Sequence, residues 1–530
     1  MLGALAVGFT ADAAAGTHLD RRTPGGISGL PLLTSIQATN HGAVVTWQGF
    51  IGPYQLQIRT NLSFGAWAAI GSPTDGKSQV VAHPGNGFLR VQGASPEYGG
   101  ASACYECHPD KHTHWVQTGH AGAFDTLTRM GMGTNAQCVA CHAAGFGLPT
   151  GFVNATATPG LAGVQCENCH GPASDHAANP DDLPRRPVVE ISANLCGGCH
   201  TDPYHPTYDE WATSLHAAVN PQVAASFLNP TNAEAQMKSC GVCHSGSVRL
   251  ALLNGTALPS GEEAAVMGIT CVVCHDAHRQ TAHGFQLRNP VASTNFYSYS
   301  TSATNSFAAQ YDPQLNLCGQ CHNARGATWT STSRPPHHSP QYNLYLGNIG
   351  VTTNATPPQT LHRAITNQCT QCHVMAVKAA TPSCTTHNYT GHSFQVRFEA
   401  CADCHADPQD RMTVTQADAR QRIAVVKGLL DQWGATLSPA SLRTKYGARA
   451  WEFSSAGTLT NPNELSASNG PANAEQADIP DEIKQARFNL YLVEYDGSYG
   501  VHNAAYARYL LRVAEYKVRL AMANASRSGN

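Results

Sequence analysis

Eighteen of the nineteen cysteines in this chain stand in nine copies of one short pattern, Cys-x-x-Cys-His. The copies are Cys104/Cys107/His108, Cys138/Cys141/His142, Cys166/Cys169/His170, Cys196/Cys199/His200, Cys240/Cys243/His244, Cys271/Cys274/His275, Cys318/Cys321/His322, Cys369/Cys372/His373 and Cys401/Cys404/His405. This is the attachment sequence of a c-type haem: two thioether bonds anchor the porphyrin, and the adjacent histidine reaches the iron. A structural zinc would join two cysteine pairs into one site, with no need of a histidine directly after each. The pattern therefore predicts nine covalent c-type haems (haem c, iron). Macrocycles would then replace much of the side-chain core, making the fold dependent on its cofactor as small metal domains depend on metal.

What fills the sixth position of each iron decides the chemistry. A second histidine closes the iron and suits it to electron transfer, whereas an open position makes it a place for catalysis. The chain has 26 histidines, nine of them in the motifs. His18, His41 and His83 precede the first motif, which leaves fourteen candidates for nine irons.

The motifs fall into threes. Their first cysteines lie at 104, 138, 166, then 196, 240, 271, then 318, 369, 401, each trio having a longer gap before a shorter one. "NLCGGCH" and "NLCGQCH" open the second and third trios, "GVQCENCH" and "GITCVVCH" close the first and second, and "WVQTGHA" and "WATSLHA" follow the first and fourth motifs. This predicts a three-haem unit used three times, with an uneven period that excludes a regular solenoid. Distal candidates occupy matching places: His120, His216 and either His337 or His338 after the opening motifs, then His176 and either His278 or His283 after the closing ones. No histidine follows His405 until His502, expected on a helix that folds back to cap the ninth haem. The expected distal set is His120, His176, His205, His216, His278, His338, His362, His392 and His502, with His112, His114 and His387 in reserve.

Stretches such as "CYECHPDKHTHWVQTGHAGAF", "GVQCENCHGPASDH", "CHDAH", "RPPHHSPQYNLYLG", "TGHSF" and "GVHNAAYARYLL" resemble the multihaem cytochrome superfamily. That group includes pentahaem nitrite reductase, octahaem hydroxylamine oxidoreductase and the small tetrahaem carriers. The resemblance covers about residues 98–525 and implies distal roles for His120, His176, His392 and His502. The Cys-x-x-Cys-Lys motif of the nitrite reductases is absent, and nine motifs depart from the usual four, five or eight. In architecture the chain is also similar to extracellular cytochrome filaments, in which bis-histidine haems stack into a wire.

The other segments are simpler. Residues 1–30 read as a leader-like or extended segment, without the positive start of an ordinary signal peptide. Residues 31–97 alternate like strands, as in "AVVTWQG", "YQLQIRT", "AWAAIG" and "FLRVQG", and predict a small β-sandwich similar to fibronectin type III modules. Residues 98–410 form the nine-haem domain, mostly loop with short helices around stacked haems. Residues 411–530 form a helical C-terminal region, with helices over 413–435 and 480–523. Cys384, the odd cysteine, reads as a buried thiol, with an intersubunit disulfide or a haem thiolate as alternatives.

Attachment of c-type haem takes place outside the cytoplasm, so the chain is expected to be exported, to the cell surface or extracellular space or alternatively the periplasm. A net charge of −3 shows no basic excess, which argues against nucleic acid as a partner. No run of 18 or more residues is apolar enough to span a membrane. The expected function is long-range electron transfer through nine bis-histidine haems, with head-to-tail copies of the chain, redox proteins or extracellular electron acceptors as partners. The alternative is an oxidoreductase with one open haem acting on a small nitrogen or sulfur compound.

Overall fold

The computed structural model describes residues 32–39, 42–48, 51–59, 66–74, 76, 78–81, 88–94, 97–187, 189–201, 204–281, 284–288, 316–365, 368–378, 388–455 and 470–528. The leader-like segment 1–30, Cys384, His283 and His387 lie outside them.

Six strands open the described chain: β1 (Leu32–Thr39), β2 (Gly42–Gln48), β3 (Ile51–Arg59), β4 (Ala68–Thr74), β5 (Ser78–Val81) and β6 (Phe88–Ala94). They form two antiparallel sheets, ordered β1-β2-β5 and β4-β3-β6. The period-two alternation does the sorting. Val45 and Trp47 of β2 and Val81 of β5 are buried in one cluster with Tyr54 and Leu56 of β3 and Leu89 and Val91 of β6. Trp47 meets Tyr54 edge-on at 5.7 Å between ring centres, joining one sheet to the other. The sequence announced four of these strands; β1 and β5 are additional.

From Ser102 to His373 the helices are short, the longest α-helix being the nine residues of Gly246–Asn254. Most motifs occupy a single helical turn, because the histidine amide bonds back to the first cysteine. His108, His200, His275, His322 and His405 donate to the carbonyls of Cys104, Cys196, Cys271, Cys318 and Cys401 at 2.8–3.0 Å. Such a turn gathers residues i, i+3 and i+4, here both sulfurs and the imidazole, on one face.

Two stretches repeat this geometry closely. The Trp115 indole donates to the Val164 carbonyl at 3.0 Å, and the Trp211 indole to the Ile269 carbonyl at 2.9 Å. The Val164 amide bonds to the His120 carbonyl at 2.9 Å, and the Ile269 amide to the His216 carbonyl at 2.7 Å. A Cβ at Gly163, where φ is +89°, would lie 2.5 Å from the Ala121 carbonyl, and one at Gly268 2.6 Å from that of His216. In both stretches only glycine lets the strand-like segment pass so close under the histidine-bearing turn.

The C-terminal part is built differently. Helices α1 (Pro408–Thr436), α2 (Asp481–Tyr495) and α3 (Ala504–Ser528) bury Val426, Leu430, Trp433, Ile483, Leu490, Leu492, Leu510 and Val518 in one core. Ala324, Leu344 and Ile349 join the same core, so the haem-motif segment around 316–351 is packed onto these helices. Arg487 is fully buried; it donates to the Trp451 and Glu452 carbonyls at 2.7 and 2.8 Å and to Gln476 at 2.8 Å. The helix expected over 480–523 breaks at Asp496–Asn503, and His502 lies in that break rather than on a helix. Among the described residues no helix is long and apolar enough to cross a membrane.

Candidate haem sites

Histidine rings meet in pairs throughout the motif region. Eight of the nine motif histidines face another imidazole with ring centres 6.0–6.2 Å apart. The pairs are His142–His205, His170–His278, His200–His120, His244–His337, His275–His392, His322–His216, His373–His502 and His405–His362. His176 is the histidine neighbour of the remaining one, His108, with which it interacts electrostatically. His205 also stands 6.2 Å from His200, but a one-to-one matching requires it for His142.

The spacing has a chemical meaning. A metal–imidazole bond is about 2.0 Å, and the ligating nitrogen is about 1.1 Å from its ring centre, so two imidazoles sharing one metal from opposite sides lie about 6.2 Å apart. Direct ring packing would bring the centres closer, as in His337–His338 at 4.1 Å. The paired histidines leave room for one metal in between, which fits them to hold haem iron.

Second contacts fix several rings. The Nδ1 atoms of His142, His275 and His373 meet the carbonyls of Ala123, Phe285 and Phe394 at 2.9, 2.7 and 2.9 Å. Those of His362, His392 and His337 meet Val501 O at 3.0 Å, Thr390 O at 3.1 Å and Ser339 Oγ at 3.0 Å. An Nδ1–H held by a carbonyl leaves Nε2 as the free lone pair, the tautomer a metal needs. Electrostatics agree: burial first, then neighbouring cations or histidines, push His200, His216 and His338 down to about 4 and His337 to about 2. In these four the neutral imidazole is therefore the resident form.

All nine motifs line one continuous cavity of about 4010 Å³, together with every paired histidine. Shared nine ways this is about 450 Å³ each, within the usual 300–1,000 Å³ of a cofactor pocket.

Residues 103–171 and 195–276 match the family of cytochrome c554 and c-prime. These are the two stretches whose tryptophan, histidine and glycine contacts coincide. In these stretches the chain is similar to multihaem c-type cytochromes. Cytochrome c-554 of Nitrosomonas europaea is 25% identical to it over 165 residues, which cover 25% of this chain and 70% of that protein. The solved structure of the outer cell wall cytochrome OcwA aligns with a TM-score of 0.49 at 19% identity, covering 79% of this chain and 99% of that one.

The structure places the expected histidines with one difference and one rearrangement. At the Pro336-His337-His338 corner it is His337 that faces His244, held by Ser339, whose hydroxyl in turn donates to Asn323 O at 2.8 Å. His338 stacks on its neighbour instead. His502, expected opposite His405, faces His373, and His362 takes the place opposite His405. Of the reserve histidines, His112 packs on Tyr105 and Trp115, and His114 shares a 3.3 Å hydrogen bond with Arg279.

The pairing crosses between motif trios in a fixed pattern. His120 of the first trio faces His200 of the second, while His205 and His278 of the second face His142 and His170 of the first. The same three exchanges recur one trio later: His216 to His322, then His337 to His244 and His392 to His275. Distance along the chain carried no signal for this, since most histidines serve a motif other than the nearest.

The motif cysteines touch as well. Cys104 lies beside Cys166, Cys196 beside Cys271, Cys243 beside Cys321 and Cys318 beside Cys369. Electrostatic contacts link Cys169 with Cys199, Cys274 with Cys318 and Cys372 with Cys401. Of the eighteen, Cys107 and Cys404 are the exposed ones.

Proposed function

We propose that this cytochrome conducts electrons over a long distance through nine c-type haems, each held between two histidines. The haems, when bound, supply reversible one-electron storage; the chain's part is to hold them in series and keep substrates off the iron. Eight motif histidines paired at 6.0–6.2 Å, with His176 beside the ninth, carry this reading. It assigns His120, His176, His205, His216, His278, His337, His362, His392 and His502 as distal ligands, with His337 in place of His338.

The cysteine neighbours support an order in space. Motifs one, three, four, six, seven, eight and nine run in sequence, with the fifth beside the seventh. The second joins at the fourth, through His142, His205 and His200. The ends of this line are the first and ninth motifs, which carry the two exposed cysteines. Electrons enter and leave there, and head-to-tail copies outside the cell would bring the ninth site of one chain to the first of the next. Such heterologous contacts do not close and give filaments.

Electron paramagnetic resonance of the oxidised protein should show low-spin iron only, and intact mass should exceed the polypeptide by nine haems. His337→Ala should turn one haem high-spin while His338→Ala leaves the spectrum unchanged. A stoichiometric high-spin signal in the native protein would instead support an oxidoreductase. His108 is the site to examine then, because its partner His176 has a buried Nδ1 with no hydrogen-bond partner to orient the ring. Discrete monomers in electron microscopy of cell-surface material would replace the filament with a soluble carrier.

A further inference from the structure

One imidazole among those with a placed Nδ1 contact differs from the rest. Six of them meet neutral carbonyl or hydroxyl oxygens. His502 Nδ1 instead lies 2.6 Å from Oδ1 of Asp496, a carboxylate only 2% exposed. Among the described residues Asp496 forms an ion pair with His502 alone. Ser498 holds the arrangement together: its hydroxyl donates to Asp496 Oδ2 and accepts the His502 amide at 3.2 Å. The whole device sits in the turn between α2 and α3, whose helices share the buried C-terminal core.

The other acidic residues near paired histidines do not reproduce it. Asp276 stands 3.7 Å from His278 Nδ1, is more exposed, and is shared with Arg288 at 3.4 Å. Glu210 binds the His392 backbone amide and Thr390 rather than the ring.

A carboxylate on the far nitrogen of a ligating imidazole raises its basicity and donor strength, as in the carboxylate–histidine–metal triads. A stronger donor and a buried negative charge both favour ferric over ferrous iron, lowering the reduction potential. We propose that Asp496 is a tuning residue that makes the haem between His373 and His502 the lowest-potential site of the nine. This rests on the bis-histidine reading of that pair. Because the eighth motif lies between the seventh and ninth, it sets a step that electrons must climb just before the end of the line.

The experiment is a spectroelectrochemical titration of the holoprotein. His502→Ala, which should make one haem high-spin, marks the component that belongs to this site; if the spin state does not change, the ligand assignment fails and the tuning claim with it. In Asp496→Asn the lowest-potential component should move upward, with the other eight in place and all iron still low-spin. In Ser498→Ala, which strips a donor from the carboxylate and leaves more of its charge on His502, the same component should move further down. An Asp496→Asn titration identical to wild type, or an upward shift of a component other than the lowest, overturns the proposal while leaving the bis-histidine reading intact. Should Asp496→Asn fail to fold, an unmoved lowest component in Ser498→Ala overturns it alone.

Discussion

The region from Ser102 to His405 and the helices from Pro408 to Ser528 belong to one chain but are held together by opposite means. In the helices, Leu490, Leu492, Leu510 and Val518 are fully buried against one another. In the motif region, a cavity of about 4010 Å³ runs where a core would be, lined by cysteines and histidines. One region carries its interior in its own side chains; the other has only small apolar clusters, such as Phe124, Leu127 and Phe152, around a cavity sized for cofactor. The short helices of the second region follow from this, since each has only to place two sulfurs and an imidazole.

The largest test of this contrast is removal of the haems. Chain made without haem attachment should lose protection from hydrogen exchange across residues 102–281 while α1–α3, and the segment 316–351 packed on them, keep theirs. Equal loss in both regions would end the distinction. Next, Leu490→Ala should cost about 2–5 kcal/mol, by lost burial plus the cavity left behind. That cost should fall on the helical region, and the haem absorption bands should not change. Persistence of full thermal stability would show that the helices lean on the haem region instead.

A pH effect of similar or smaller size belongs to the helical side alone. Burial pushes the Glu452 carboxyl up to about 7, although the Tyr491 hydroxyl donates to it at 2.8 Å. Its ordinary value is near 4.5. Between those values the folded protein holds a proton that the unfolded chain has released, so stability falls as pH rises, by up to about 3 kcal/mol. Glu452→Gln should flatten that slope between pH 4.5 and 7 in denaturant titrations; an unchanged slope would locate the titration elsewhere. The smallest effect compares the motif region with itself. Trp115→Phe and Trp211→Phe each remove one indole hydrogen bond, to Val164 and Ile269, and each should cost about 1 kcal/mol. Unequal costs would argue against the two stretches being structural equivalents.

Much of this was legible in the sequence, because haem attachment is local chemistry. Two sulfurs and an imidazole must lie within one turn, and five residues record that. The likeness of the first two trios was legible because the segments themselves repeat, although the tryptophan of each meets its carbonyl 49 or 58 residues further on. Which histidine faces which motif was not legible. That depends on how segments a hundred residues apart cross, as with His120 and His200 or His373 and His502. The choice between His337 and His338 turned on one hydroxyl, Ser339, that pattern reading does not weigh. In the strand region, alternation marked the core-facing residues of β2, β3 and β6 but passed over β5, which is only four residues long.

The crosswise pairing of histidines bears on how a chain like this can grow. A middle trio lends one imidazole forward, His216, and two backward, His205 and His278, and it receives His120, His337 and His392 in return. Its account with its neighbours is balanced at three given and three taken. A further copy spliced between trios would meet the same demands on both sides and strand no motif histidine, whereas loss of a single motif would leave an imidazole idle in another trio. The arrangement therefore permits lengthening in steps of three motifs and resists every other step, with only the two termini, closed by His176 at one end and by His362 and His502 at the other, needing partner histidines of their own.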